Sequence, residues 1–155
     1  MNQERINQES RNIELQAADP LSLCVAQRAL DTALQHAEKN GWLVSVAVLD
    51  GGGHLLAFGR GAGAPLHTID IAQDKALTAV SFGMSTADVG ERLRNAPDHV
   101  RSCLMLRPRL VPMGGALPFK VGERLVGAIG VSGASEEQDD ECAAAGYRAV
   151  VLNKQ

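Results

Sequence analysis

A chain of 155 residues that is 45% hydrophobic and 21% charged is long enough to bury one core, and one domain is expected. The net charge of −3 and the lack of a basic run argue against nucleic acid as a partner, and 3% aromatic content leaves no stacking platform for bases. No run of 18 apolar residues occurs, so no membrane partner is expected either.

Cys24, Cys103 and Cys142 are odd in number, widely spaced and without a CxxC, which points to reduced, buried thiols rather than a disulfide framework or a zinc site. The first sixteen residues, MNQERINQESRNIELQ, have little to bury and no apolar h-region. They read as a mobile arm, residues 1–17, ahead of one domain at 18–155, and the chain reads as cytoplasmic.

Asp19-Pro20 looks like a helix start, and Leu23, Ala26, Leu30, Ala33, Leu34 and Ala37 recur at helical spacing as far as Asn40-Gly41. Val44–Leu49 and His54–Gly59 form a hairpin around Asp50-Gly51-Gly52-Gly53. After the bend at 60–65, Ile69, Ala72, Ala76, Ala79 and Val80 lay an apolar stripe on a helix that ends near Phe82, with Gly83 closing it. Ser85-Thr86 caps a short helix as far as Arg94; residues 99–106 are ambiguous between helix and loop, and Arg109–Val111 reads as a short strand.

The stretch Met113–Gly133 carries the densest pattern. Ala116–Val121 and Arg124–Val131 are extended and apolar, and Gly122-Glu123 supplies a two-residue primed turn. In the second strand small residues alternate with branched ones, as suits a central strand that other groups cross closely. Gly114-Gly115 and Ser132-Gly133 leave main-chain N–H groups open to a ligand or another backbone. Ser135, with Gln138 three residues on, is a capping box for a last helix over about Glu136–Val151, and the acids at 136–141 suit its N-terminal dipole. The sum is an α+β domain with an antiparallel sheet of about five strands.

The segments AVLDGGGHLLAFGR (47–60), DIAQDKALTAVSFG (70–83), GGALPF (114–119) and VGAIGVSGASEEQD (126–139) together resemble the GlcG/HbpS-like haem-binding family, which includes the C-terminal domain of PduO-type proteins. The resemblance spans roughly residues 20–150. It implies a profilin-like three-layer α/β/α fold with a five-stranded antiparallel sheet, homo-oligomers up to octamers, and haem or corrinoid association. Relatives often carry Arg-Met-Asp-Gly-Ala where this chain has Arg60-Gly61-Ala62-Gly63-Ala64, so the usual acidic residue is missing at Ala62.

An axial haem ligand needs an accessible imidazole beside an apolar wall. Some family members use a histidine of the first helix. His36 lies on that helix, off its apolar stripe, and reads either as a surface histidine or as the ligand of haem iron. His54 follows three glycines, as in a Gly-Gly-His of some relatives, and with Gly114 and Gly115 makes up the remaining cofactor-binding candidates. An enzyme reading uses other residues. His67 has Asp70 at i+3 to orient it, Lys75 on an alanine-rich helix is either a snorkelling surface lysine or an anion binder, and Arg60 could share the anion. Two functions result: a haem or tetrapyrrole-binding protein, or a cofactor-independent enzyme of a bacterial catabolic pathway acting on a small organic acid or aromatic catabolite through Lys75, His67 and Arg60. No zincin, P-loop, GxSxG or GxGxxG pattern is present.

Overall fold

The computed structural model describes residues 21–151, so the expected arm and the Asp19-Pro20 helix start lie outside the described residues. Helix α1 (Leu23–Lys39) begins where the Ser22 hydroxyl accepts from the Val25 N–H at 3.3 Å. Strands β1 (Ser45–Asp50) and β2 (Leu55–Arg60) follow, joined by a turn in which the Asp50 carboxylate accepts from the N–H groups of Gly52 and His54, each at 2.9 Å. Helix α2 (Thr68–Phe82) stops at Gly83, whose φ of 63° ends the helix in the left-handed region. Ser85 caps α3 (Thr86–Arg94) by accepting from Asp88 N–H at 3.1 Å, and the ambiguous stretch is helical, forming α4 (Asp98–Met105).

Strands β3 (Ala116–Val121) and β4 (Arg124–Ser132) meet at the Gly122-Glu123 turn, where Gly122 has φ 60°. Helix α5 (Glu136–Val151) opens with a reciprocal capping box: Ser135 Oγ accepts from Gln138 N–H at 3.2 Å, and Gln138 Oε1 accepts from Ser135 N–H at 3.1 Å.

The strands form one antiparallel sheet in the order β2-β1-β4-β3. The sheet has four strands among the described residues, not the five expected from pattern and family resemblance. Arg109–Val111 is not the fifth, because its main-chain groups go to a side chain of α2: Val111 N–H donates to Thr78 Oγ1 at 3.0 Å, and Thr78 Oγ1 donates to the Arg109 carbonyl at 3.3 Å. Arg109 itself takes φ 66°, which is incompatible with a strand.

Each central strand buries both faces. Val46, Val48, Ile129 and Val131 point to the layer made by α1 and α5, while Leu49 and Ala128 point to α2 with Ala76 and Ala79. The small residues of β4 allow this crossing. A Cβ at Gly130 would lie 2.2 Å from the Ala72 carbonyl oxygen and 2.7 Å from Ala76 N, so α2 runs almost on the strand backbone. On the other side, Gly146 lets α5 approach α1 to where a Cβ would sit 2.6 Å from the Ala29 carbonyl. The thiols differ from expectation: only Cys142 is buried in this interface, while Cys24 and Cys103 lie on exposed faces of α1 and α4.

Candidate functional site

The alanine-rich face of α2 carries one cation, Lys75, into the interior. Its side chain is 2% exposed, so it neither snorkels nor waits in an open pocket. Nζ donates to Asp139 Oδ2 at 2.9 Å and to the Val131 carbonyl at 3.1 Å, tying α2 to the end of β4 and the first turn of α5. The other carboxylate oxygen of Asp139 accepts from Ala134 N–H at 3.1 Å. Burial pushes the Asp139 carboxyl up from its ordinary range, against the pull of Lys75 and the main-chain N–H groups of Ala134 and Gly133.

Gly115 makes room for this pair. Its φ is 129°, and a Cβ there would stand 2.5 Å from the Val131 carbonyl oxygen and 2.8 Å from Lys75 Nζ. The N–H groups of Gly114 and Gly115, expected to be open to a ligand, are taken by carboxylates of the chain itself: Gly115 N–H donates to Asp140 at 2.6 Å and Gly114 N–H to Glu136 at 3.2 Å. Burial pushes the Asp140 carboxyl up as well, opposed by the Gly115 hydrogen bond.

Of the enzyme candidates, Lys75 lies beside Gly115, but Arg60 and His67 do not join it. His67 is exposed at the start of α2, about 12 Å along the helix axis from Lys75, and caps nothing with its side chain. Arg60 is exposed at the end of β2 and donates to the Ala64 carbonyl at 3.1 Å. His54 stands 82% exposed on the turn, with Nδ1 3.3 Å from Asp50.

His36 is placed differently. Its ring is 27% exposed, Nε2 lies 2.9 Å from Glu141 on α5, and its centroid is 5.9 Å from that of Trp42. Next to this last turn of α1 opens a cavity of about 340 Å³ lined by the apolar Leu34, Ala37, Trp42, Leu43 and Val44 together with Glu38 and Ala62. His36 is not itself part of that lining; Trp42, which is, links the carboxylate-held imidazole to the depression. Among the described residues no group of three potential metal ligands occurs.

Sequence reading missed Asp139 and Asp140 as partners of Lys75 and Gly115, assigning the acids to the helix dipole alone. The available signal was a lone lysine on an alanine-rich helix face together with five acids in six residues, more than one helix end needs.

Comparison with known proteins places these features in a group. A family model described as "Haem degrading protein HbpS-like" matches residues 21–148. Protein GlcG of Escherichia coli K12 is 36% identical over 112 residues, covering 72% of this chain and 81% of GlcG. A double mutant of HbpS from Streptomyces reticuli superposes with a TM-score of 0.76 at 34% identity, covering 87% of this chain and 88% of that one. A PduOC–heme complex gives a TM-score of 0.76 at 27% identity, covering 83% and 94%. With a family model spanning nearly all described residues and a relative above one-third identity, this chain belongs to the HbpS-like family.

Proposed function

We propose that this protein binds haem or a related planar tetrapyrrole, as a binding or handling protein that works as a homo-oligomer. The observation that carries the reading is His36. A ligating imidazole commonly gives one ring nitrogen to a carboxylate, which fixes its orientation and leaves the other nitrogen as the donor to iron. The 2.9 Å contact with Glu141 supplies that arrangement, and His54, standing in solvent, has no apolar wall beside it. The neighbouring cavity offers Leu34, Trp42 and Leu43 to the face of an apolar ring system, and at position 62, where relatives often carry an acid, Ala62 leaves Glu38 as the one carboxylate of its lining. Its volume lies near the lower end of the range for small-molecule sites, so one protomer covers part of a tetrapyrrole and a second copy completes the enclosure. The heme complex of a PduOC relative points the same way.

Bound haem supplies the iron chemistry; the chain's part is to hold and orient the group and to limit its exposure to water. Glu141 sets the ring of His36, and Trp42 and Leu34 line the apolar side. The test is hemin titration followed by absorbance. A saturable Soret shift that is lost in His36→Ala and weakened in Glu141→Gln supports the reading. A titration without saturation, or one that His36→Ala leaves unchanged, overturns it.

A further inference from the structure

Helix α4 is an anomaly in a tightly packed protein. None of its residues is buried, and among the described residues no other helix or strand packs substantially against it. Yet its apolar side chains are not scattered: Val100 (36% exposed), Met105 (51%), Leu106 (78%) and Met113 (41%) lie along one segment between α3 and the Gly114-Gly115 turn. The same segment is basic. Residues 92–109 contain Arg92, Arg94, Arg101, Arg107 and Arg109 against the single carboxylate of Asp98, with no two arginines adjacent. An apolar strip bordered by arginines has the make-up of a protein interface.

The complementary surface is on the same molecule. The first turns of α5 carry Glu136, Glu137, Asp140 and Glu141 outside the buried Lys75 pair, with no basic residue among them. Among the described residues no ion pair joins the two patches. Arg94 pairs with Glu91, Arg101 with Asp98 and Arg109 with Asp74, while the acids hold Gly114, Gly115 and His36. Arg92 and Arg107 in the one patch and Glu137 in the other are exposed and hold no ion pair among the described residues, so these are the side chains left for a partner. They are neighbours, because the basic segment ends at Gly114, whose N–H donates to Glu136. A basic and an acidic patch side by side on one face are self-complementary about a two-fold axis: each copy's arginines meet the other's carboxylates, and both contacts form at once.

We infer that the α4 arm, residues 92–113, is a self-association surface that docks on the acidic start of α5 of a second copy, burying Met105 and Leu106 at its centre. The inference rests on the self-association proposed above and adds the surface. Nucleic acid is the competing occupant of five arginines, and the test separates the two.

Sedimentation of the full chain at low and high salt is compared for the native sequence, the arm variant Arg92→Glu/Arg107→Glu and the helix variant Glu137→Lys/Glu136→Lys, with circular dichroism confirming that each folds. The native chain should assemble, more weakly at high salt. Each variant alone should dissociate, with an association weakened about 100-fold or more by like charges facing each other. An equimolar mixture of the two variants should reassemble, since the reversed arm then meets the reversed helix and the native arm meets the native helix. A native chain that sediments as a monomer at every salt concentration overturns self-association itself. An assembly that neither variant weakens, or a mixture that stays dissociated, overturns only the surface. Binding of a labelled DNA duplex that the arm variant abolishes overturns the second copy as occupant.

Discussion

Replacing Lys75 by Met tests whether the buried pair holds the three layers together. Both side chains are almost fully enclosed, at 2% and 3% exposure, so the charge left on Asp139 after the substitution has no water to turn to. Breaking a buried pair from one side costs about 3–5 kcal/mol, a large share of the stability of a small domain. The loss has a pH signature. Asp139 already has a carboxyl raised above its ordinary 3.8 by burial, and without the opposing Lys75 charge it rises further. A folded-state value above the unfolded one contributes stability that is present at low pH and lost as pH climbs through the folded value. The deficit of Lys75→Met against the native sequence is therefore largest at neutral pH and shrinks as pH falls through the raised folded-state value toward the unfolded chain's value of about 4.

Urea denaturation at neutral and acid pH reads both quantities. The double variant Lys75→Met/Asp139→Leu completes the cycle, and it should be more stable at neutral pH than Lys75→Met alone. It removes the stranded charge while losing the main-chain hydrogen bonds from Ala134 and Gly133 N–H, about 1 kcal/mol each. A single-variant deficit below about 1 kcal/mol at neutral pH, a deficit that does not change with pH, or a double variant less stable than the single one refutes the reasoning.

Gly130→Ala should destabilise by about 3 kcal/mol, because the new methyl would stand 2.2 Å from the Ala72 carbonyl with backbone on both sides; a thermal melt within a degree or two of the native one would contradict that contact. Ser135→Ala removes one half of the α5 capping box and should cost about 1 kcal/mol by denaturant titration. A thiol reagent should label two cysteines of the folded protein quickly, Cys24 and Cys103. Cys142, whose thiol burial pushes up to about 12, should react only on unfolding, and three equally fast thiols would refute the packing of α5 on α1.

Much of the fold is legible because local rules agree with tertiary packing. The Ser85 cap, the Gly122-Glu123 turn and the Ser135–Gln138 box are each set by residues within four positions of one another, and each forms as its pattern predicts. The alternation of β4 is readable for the same reason, since its two faces meet two different layers. The fifth strand fails because its outcome is decided elsewhere: Thr78, 31 residues before Arg109 and 33 before Val111, takes the hydrogen bonds that they would need to pair. No periodicity in three residues records a partner on another helix. The exposure of Cys24 and Cys103 is hidden likewise, since cysteine's usual preference for the interior says nothing about which helix face has no neighbour.

The site divides along the same line. Lys75 and Gly114-Gly115 are visible in sequence as unusual residues, but their chemistry depends on a helix that arrives from residue 136 onward. Without α5, an alanine-lined lysine and two open amide groups look like an empty anion site; with α5 docked, Asp139, Asp140 and Glu136 occupy it from within. The same helix that closes this centre brings Glu141 to His36 on the opposite side of its first turns, beside Trp42 and the apolar cavity. One acidic helix start thus separates a saturated, structural centre from an imidazole that keeps partial exposure. Access, more than residue type, distinguishes the two: Lys75 is 2% exposed and its hydrogen bonds are taken up within the chain, whereas His36 keeps 27% of its side chain exposed.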